Sequence, residues 1–218
     1  MSPHERGHAL LTPTLRTQCW GFMVGSALFA LGSAPGLAHL AGAGFANGCY
    51  FVGAWFFTGA GFIQLVRSGT VAELRSSAPG SVIRAEWLGA ATQSVGTILF
   101  NVSTTGALLA HTIWGDRHLV WTPDAGGSIA FLISGAVAFA GYTRATGRRW
   151  DAGDRNWWSV LINWIGCVAF GVSAVGAFVT TGGVTADAVA ATSGTFVGAI
   201  CFFLASLVVL PERHNVSR

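Results

Sequence analysis

The feature that indicates the fold is the stretch Gly96-Thr97-Ile98-Leu99-Phe100, in which a glycine stands four residues before a phenylalanine. It lies in a segment from Trp87 to Ile113 that contains no Asp, Glu, Lys or Arg. A membrane-spanning helix needs about 20 mainly apolar residues, because a helix rises about 1.5 Å per residue and the hydrocarbon layer is about 30 Å thick. The segment is long enough to span a bilayer as a helix.

Five more segments share this length and this absence of charge, which predicts six transmembrane helices in all. The predicted spans run from Trp20 to Leu40, from Phe45 to Val66, from Trp87 to Ile113, from Ala125 to Tyr142, from Trp157 to Thr180 and from Ala190 to Leu210. Charged residues form 10% of the 218 residues and hydrophobic residues 52%, whereas about 25% of a soluble domain is charged. Because a soluble globule could not hide so much apolar surface, the sequence predicts an all-α polytopic membrane protein.

Every predicted span contains a glycine followed four residues later by a phenylalanine. The pairs are Gly25 and Phe29, Gly53 and Phe57, Gly96 and Phe100, Gly127 and Phe131, Gly166 and Phe170, and Gly198 and Phe202. Corresponding pairs recur at intervals of 70 to 74 residues, which predicts three pseudo-equivalent helical hairpins. The hairpins occupy residues 20–66, 87–143 and 157–210, with tails at 1–19 and 211–218, a connector at 67–86 and a basic loop at 144–156.

The glycine and the phenylalanine of each pair share one helix face, because residues four apart are neighbours on a helix. Each helix therefore offers a notch beside a bulky ring, and a ring from a neighbouring helix can fill the notch. Packing of this kind must hold helices together in lipid, where the hydrophobic drive between helices is missing. We interpret these twelve residues as the packing surface of the bundle.

The twelve arginines are distributed unevenly between the two sides of the predicted spans. Eleven lie in the tails, the connector and the basic loop, and Arg117 alone lies on the other side. Because cytoplasmic loops retain positive charge, both termini are predicted to be cytoplasmic, in a bacterial cytoplasmic membrane. The basic loop is expected to contact anionic lipids, and the connector is predicted to form a short interfacial helix broken at Pro79-Gly80.

A resemblance to a known family lies in three stretches. They are GTILFNVST at residues 96–104, WTPDAGGSIAF at 121–131 and NWIGCVAFGVSA at 163–174. Together they resemble bacterial membrane proteins with YrhK-like domains. The resemblance implies paired membrane helices and no assigned reaction, so no catalytic residue is carried over from it.

Polar side chains follow one face of the third predicted span at steps of four, four and three residues, a spacing that places them on one side of a helix. The row consists of Gln93, Thr97, Asn101 and Thr104, and Asn163 and Cys167 stand seventy residues after its first two members on the fifth span. Two interpretations remain open. The row could line a polar pocket or path, or it could make interhelical hydrogen bonds worth about 0.6 kcal/mol each.

Two histidines, His39 and His111, lie at similar depth near the outer ends of the first and third spans. From different helices they could ligate a metal or a haem. Histidines wetted at the membrane interface are the commoner case, so the sequence predicts no metal and no cofactor. Asp124, directly after Pro123, is predicted to cap the fourth span.

The residues that usually announce a reaction are missing from this chain. It contains no phosphate-binding glycine loop and no nucleophile motif, and no predicted span carries an acid that could relay protons. We therefore expect no enzyme, but a noncatalytic membrane module that acts structurally, binds a partner or binds an apolar ligand.

Two alternatives to this module remain. One is a channel or uncoupled transporter for a small neutral or anionic solute, and the other is a haem- or metal-binding protein that uses His39 and His111. The expected partners are the lipid bilayer and further copies of the chain or a larger membrane complex, but no nucleic acid.

Overall fold

Six long helices dominate the part of the chain that the computed structural model describes, residues 13–69, 72–74 and 81–211. In chain order the elements are α1 (Leu15–Gly32), α2 (Leu37–Ala41), α3 (Ala43–Arg67), β1 (Ala72–Leu74), β2 (Ser81–Ile83), α4 (Ala85–Leu109), α5 (Ile113–Gly115), a π-helical segment (Asp116–Trp121), α6 (Thr122–Thr146), α7 (Arg155–Gly176) and α8 (Ala188–Val208). The long helices are α1, α3, α4, α6, α7 and α8. The expected all-α class is confirmed, apart from the two short strands.

Four helical stretches among the described residues are long and apolar enough to cross a membrane: Ala43–Arg67, Ile113–Thr146, Arg155–Gly176 and Ala188–Val208. They make the chain a membrane protein. The prediction of six transmembrane helices is wrong, because α1 and α4 are not in this set. α1 has only 18 residues and begins with a polar turn, and Thr, Ser, Gln and Asn side chains dilute the apolar residues of α4. The absence of charge, on which the prediction rested, does not reveal this dilution.

The long helices form a closed ring in which each helix packs against two neighbours. The most extensive contacts join α1 to α3, α4 to α6 and α7 to α8, and contacts of α3 with α4, α6 with α7 and α8 with α1 complete the ring. Neighbouring helices are antiparallel. In the first pair, for example, Gly21 approaches Ala60 and Gly32 approaches Tyr50.

One end of the ring, which we call the arginine-rich end, carries Arg67, Arg144 and Arg155 at the ends of α3, α6 and α7. Here β1 and β2 pair antiparallel, with Ala72 opposite Ile83. The interfacial helix predicted for the connector is therefore wrong at residues 72–74 and 81–83, which form strands. Its predicted break at Pro79-Gly80 lies outside the described residues, as do residues 1–12 and 212–218 of the predicted tails.

The helix starts show where local sequence sets the structure. Asp154 accepts a hydrogen bond from the backbone N–H of Asn156 at 2.9 Å and caps α7. The prediction that Asp124 caps a span is wrong, because the π-helical segment runs into α6 without a break and Trp121 precedes the first residue of α6. Asp124 therefore lies inside a membrane-spanning stretch, which corrects the expectation that no span carries an acid.

Large apolar side chains occupy the outward faces of the helices. Trp55 is 57% exposed, Phe62 is 64% exposed and Ile129 is 58% exposed, and all three lie on helices apolar enough to span a membrane. In water such a surface would drive aggregation, whereas in a bilayer it is matched to the lipid tails. The outward faces of α3, α6, α7 and α8 thus contact lipid, and the interior of the ring holds buried phenylalanines and buried polar side chains.

Candidate functional site

The glycine and phenylalanine pairs bring each pair of consecutive long helices into close contact. In the first pair, a Cβ atom added to Gly53 would stand 2.8 Å from the Phe29 ring, and one added to Gly25 would stand 3.1 Å from the Phe57 ring. The rings of Phe131 and Phe100 cover Gly96 and Gly127 in the same reciprocal way, and those of Phe202 and Phe170 cover Gly166 and Gly198. Each ring thus fills the notch beside the ring of its partner helix.

The six rings meet at the centre of the helical ring, and we call them the phenylalanine cluster. Its members are Phe29, Phe57, Phe100, Phe131, Phe170 and Phe202, each no more than 5% exposed. Ring centroids lie 5.3 Å apart for Phe29 and Phe57, 5.2 Å for Phe170 and Phe202, and 5.4 Å for Phe131 and Phe202. Rings of different hairpins also contact one another. The ring centroids of Phe100 and Phe170, for example, lie 5.7 Å apart, so that the six rings form one layer. Since every long helix contributes one ring, this apolar layer closes the axis of the bundle.

A cavity of about 750 Å³ lies between this cluster and the arginine-rich end, and we call it the vestibule. Residues from all six long helices line it, and Phe22 and Phe202 are among them. Its polar lining includes the side chains Gln18, Gln64, Gln93, Ser134, Tyr142, Ser159, Asn163, Arg67, Glu86 and Asp154. The vestibule therefore presents both polar and apolar surface inside the bundle, with the phenylalanine cluster at its deep end.

One layer of the vestibule follows directly from the cluster. The residue seven positions from each cluster phenylalanine, counted toward the arginine-rich end, lines the vestibule in all six cases. Five of these residues lie within their helices, and Val209 directly follows the last residue of α8. Seven residues are about two helical turns, or about 10 Å, and return to the same helix face. The six residues are Phe22, Gln64, Gln93, Ala138, Asn163 and Val209. Three of them carry a carboxamide, and we call Gln64, Gln93 and Asn163 the carboxamide layer.

The hydrogen bonds of the carboxamide layer are incomplete. Ser134 Oγ lies 2.9 Å from Gln93 Oε1 and 2.8 Å from the carbonyl oxygen of Gly89. Asn163 Nδ2 makes only a long contact of 3.8 Å to the sulfur of Cys167. Gln64 Oε1 is buried and has no hydrogen-bond partner. The layer therefore keeps hydrogen-bonding capacity that the protein does not use.

The charged groups of the lining stand farther out, at the rim, and each has a partner. Arg67 Nη1 donates to Gln18 Oε1 at 2.7 Å, and Glu86 lies 3.6 Å from Arg84. The Tyr142 hydroxyl donates to Asp154 Oδ2 at 2.8 Å. The backbone N–H of Asn156 and then this hydroxyl hold the pKa of Asp154 below its usual value, because both stabilise the ionised carboxylate.

The predicted polar row divides into two groups. Gln93 and Asn163 line the vestibule. Thr97 and Thr104 instead bond to backbone carbonyls of their own helix, and Asn101 Nδ2 donates to Thr58 Oγ1 of α3 at 2.6 Å. Cys167 is fully buried against Gly135. The structure thus does not bring the six residues into one path.

Gln64 and Ser134 stand outside the polar row predicted from the sequence, because that row follows single helices. Gln64 stands seven residues after Phe57 in the sequence. The step runs toward the C-terminus here because the C-terminal end of α3 lies at the arginine-rich end, whereas in the antiparallel α4 the N-terminal end lies there. The same step taken toward the N-terminus from Phe100 and Phe170 gives Gln93 and Asn163.

The two histidines proposed as ligands do not form a described site. His111 is exposed, in the turn after α4 at the end opposite the vestibule. His39 lies in α2, and its side chain is outside the described part of the structure. Among the described residues, no three His, Cys, Asp or Glu side chains form a group that could hold a metal ion.

Comparison with known proteins adds no relative from which function could be carried over. The chain matches no family model, no curated protein and no solved structure.

Proposed function

We propose that this membrane protein is a noncatalytic channel or uncoupled transporter for a small neutral or anionic solute, with the phenylalanine cluster closing its path in the present conformation. One observation carries this proposal. The vestibule is lined by all six long helices and ends at an apolar layer to which all six contribute. A solute that enters at the arginine-rich end is thus led along the axis of the bundle to the cluster.

A bundle that served only as a structural element would not require the vestibule. Membrane helices associate mainly through close packing, and protein interiors leave few voids larger than a water molecule. The vestibule of about 750 Å³ is open to the outside, and residues of all six long helices line it instead of packing against one another there. Several polar side chains of the vestibule, unlike Asn101 and Thr58, do not bond to a neighbouring helix, so interhelical hydrogen bonding does not account for them.

The cluster has the properties of a hydrophobic gate. A narrow apolar constriction excludes water, and a polar solute cannot leave its hydration shell to cross it. The rings belong to different helices and contact one another across the hairpins, for example Phe57 and Phe202 at 6.0 Å. A small tilt of one hairpin therefore withdraws two rings together and opens the layer.

The second candidate is a noncatalytic module that binds a ligand or a partner without passing it through the membrane. The observation in its favour is the closure of the cluster, in which the rings of Phe100 and Phe131 meet at 4.9 Å and are almost fully buried. The vestibule that such a ligand would occupy is lined by both polar and apolar residues.

Location and family belong to the same proposal. The arginine asymmetry supports a bacterial cytoplasmic membrane in which the vestibule opens to the cytoplasm. Contacts of the basic loop with anionic lipids follow from its arginines. The resemblance of residues 96–104 and 121–131 to YrhK-like membrane proteins supports a shared hairpin design.

The test is solute flux into liposomes that contain the purified chain, with a panel of small neutral solutes and anions. We expect Phe57→Ala to raise the flux of the permeant solute, because it removes one ring from the layer. Phe62→Ala is the matched control, since Phe62 lies on the same helix and is 64% exposed. If no solute crosses faster than in empty liposomes, in the wild type or in Phe57→Ala, the transport proposal is wrong and the binding module remains.

A further inference from the structure

We propose that the carboxamide layer of Gln64, Gln93 and Asn163 is a binding site for a small uncharged solute that both donates and accepts hydrogen bonds, of the amide or polyol class. This inference rests on the proposed function and identifies the kind of solute that the vestibule takes. The inference rests on two observations. Three carboxamides lie at the same number of residues from the phenylalanine cluster, and every charged residue of the lining lies farther from the cluster along its helix.

The chemistry of the three side chains favours such a solute. Each carboxamide offers N–H donors and a carbonyl acceptor. A small amide or polyol presents the complementary groups, so it can replace the water that it gives up on entry. The cavity of about 750 Å³ lies within the usual size range of ligand pockets, about 300–1,000 Å³.

The positions of the charges argue against an ion at this depth. Three lining residues carry a formal charge, namely Arg67, Glu86 and Asp154. Along their helices they stand three, seven and nine residues beyond the carboxamide layer. Each is already engaged at the rim with Gln18, Arg84 or Tyr142. A cation in the layer would lose hydration without gaining a counter-charge at that depth, and an anion would find only Arg67, which lies three residues farther out and already donates to Gln18.

The unpartnered oxygen of Gln64 singles out the layer from other polar groups in the interior. Among the described residues, Ser26, Gln64 and Asn101 have a buried side-chain oxygen without a hydrogen-bond partner. Of these three residues, Gln64 is the one that lines the vestibule. An unsatisfied buried acceptor is unfavourable, and at a cavity wall a molecule inside the cavity, water or a solute that displaces it, supplies the missing donor.

The experiment measures permeability to urea and glycerol by the swelling of liposomes that contain the full chain, with chloride and potassium fluxes as comparison. Wild type and the gate variant Phe57→Ala are both used, and Phe202→Leu replaces the gate variant if Phe57→Ala does not fold. We expect urea or glycerol to permeate and both ions to be excluded. Gln64→Leu and Asn163→Leu, each made in the conducting background, should lower this permeability about fivefold, the effect of one lost hydrogen bond.

The matched control is Asn101→Leu, which removes a carboxamide that does not line the vestibule. It should leave permeability unchanged, and the shorter carboxamide of Gln64→Asn should restore part of what Gln64→Leu loses. Permeation by ions alone overturns this inference and leaves the proposed channel standing. Neutral permeation that is insensitive to Gln64→Leu and Asn163→Leu also overturns it. Absence of all permeation overturns the proposed function and this inference together.

Discussion

Phe100 and Phe131 meet nearly edge to face with their ring centroids 4.9 Å apart, and each ring covers the glycine that precedes the other. A Cβ atom on Gly96 would stand 2.5 Å from a carbon of the Phe131 ring, and one on Gly127 would stand 3.2 Å from the Phe100 ring. The two helices can approach this closely only because both positions lack a side chain. This contact therefore has two roles. It packs α4 against α6, and the same two rings belong to the phenylalanine cluster that closes the axis of the bundle.

Gly96→Ala is expected to destabilise the protein by about 1–3 kcal/mol, the usual effect of overpacking a filled interior. The added methyl group displaces the Phe131 ring, which is fully buried and is held by Phe100. The measurement is thermal unfolding in detergent, followed by the helical circular dichroism signal. Gly59→Ala is the matched control, because nothing lies within 4 Å of the Cβ position there. Equal melting temperatures for the two variants would show that the glycine contact does not limit packing.

The hydrogen bond between Asn101 and Thr58 is expected to join α4 to α3 without affecting permeation. Asn101→Leu and Thr58→Val each remove the contact of 2.6 Å, and each should lower stability by about 0.6 kcal/mol, a typical value for membrane hydrogen bonds. The double variant should lose little more than either single one, because both changes remove the same bond. Additive losses would mean that the two side chains act separately.

The stability of the α7 start is expected to depend on pH through Asp154. Its pKa is lowered in the folded state by the hydrogen bonds from the Asn156 backbone and the Tyr142 hydroxyl. The ionised form therefore stabilises the fold above the unfolded pKa, about 3.9, and this contribution disappears as the pH falls through the lower folded pKa. Thermal unfolding between pH 7 and pH 3 should show a smaller acid-induced loss in Asp154→Asn than in wild type. Tyr142→Phe should lie between them, and an unchanged acid profile in Asp154→Asn would contradict this role.

The orientation of the bundle is expected to follow the arginines. Gly182→Cys, at the end opposite the vestibule, should react with an impermeant thiol reagent in intact cells, whereas Gly153→Cys, at the arginine-rich end, should react only after lysis. Both glycines have open space around the Cβ position, and the four native cysteines are buried or partly buried. The parent protein is the control for background labelling. Reaction of Gly153→Cys in intact cells would reverse the assignment of inside and outside.

The sequence by itself determined the helical class and the membrane setting. Long stretches without charge leave a helix in lipid as the stable arrangement, because backbone groups must be paired within the segment. It also determined which residues share a helix face, since Gly96 and Phe100 are four residues apart whatever surrounds them. The number of spanning helices was not determined in this way, because uncharged polar side chains in α4 lower its apolar character without adding charge.

Only the tertiary structure decided which of these faces meet and what they enclose. Whether a polar residue lines the vestibule depends on its depth relative to the phenylalanine cluster, and that depth is counted in opposite directions along antiparallel helices. Gln64 therefore joins Gln93 and Asn163, whereas Asn101, on the same helix as Gln93, bonds to Thr58 and stays outside. The physical reason is that the sequence specifies the spacing of residues along one helix, which is a local property. The cavity depends on contacts between residues far apart in the sequence, because it exists only when α8 packs against α1 and closes the ring.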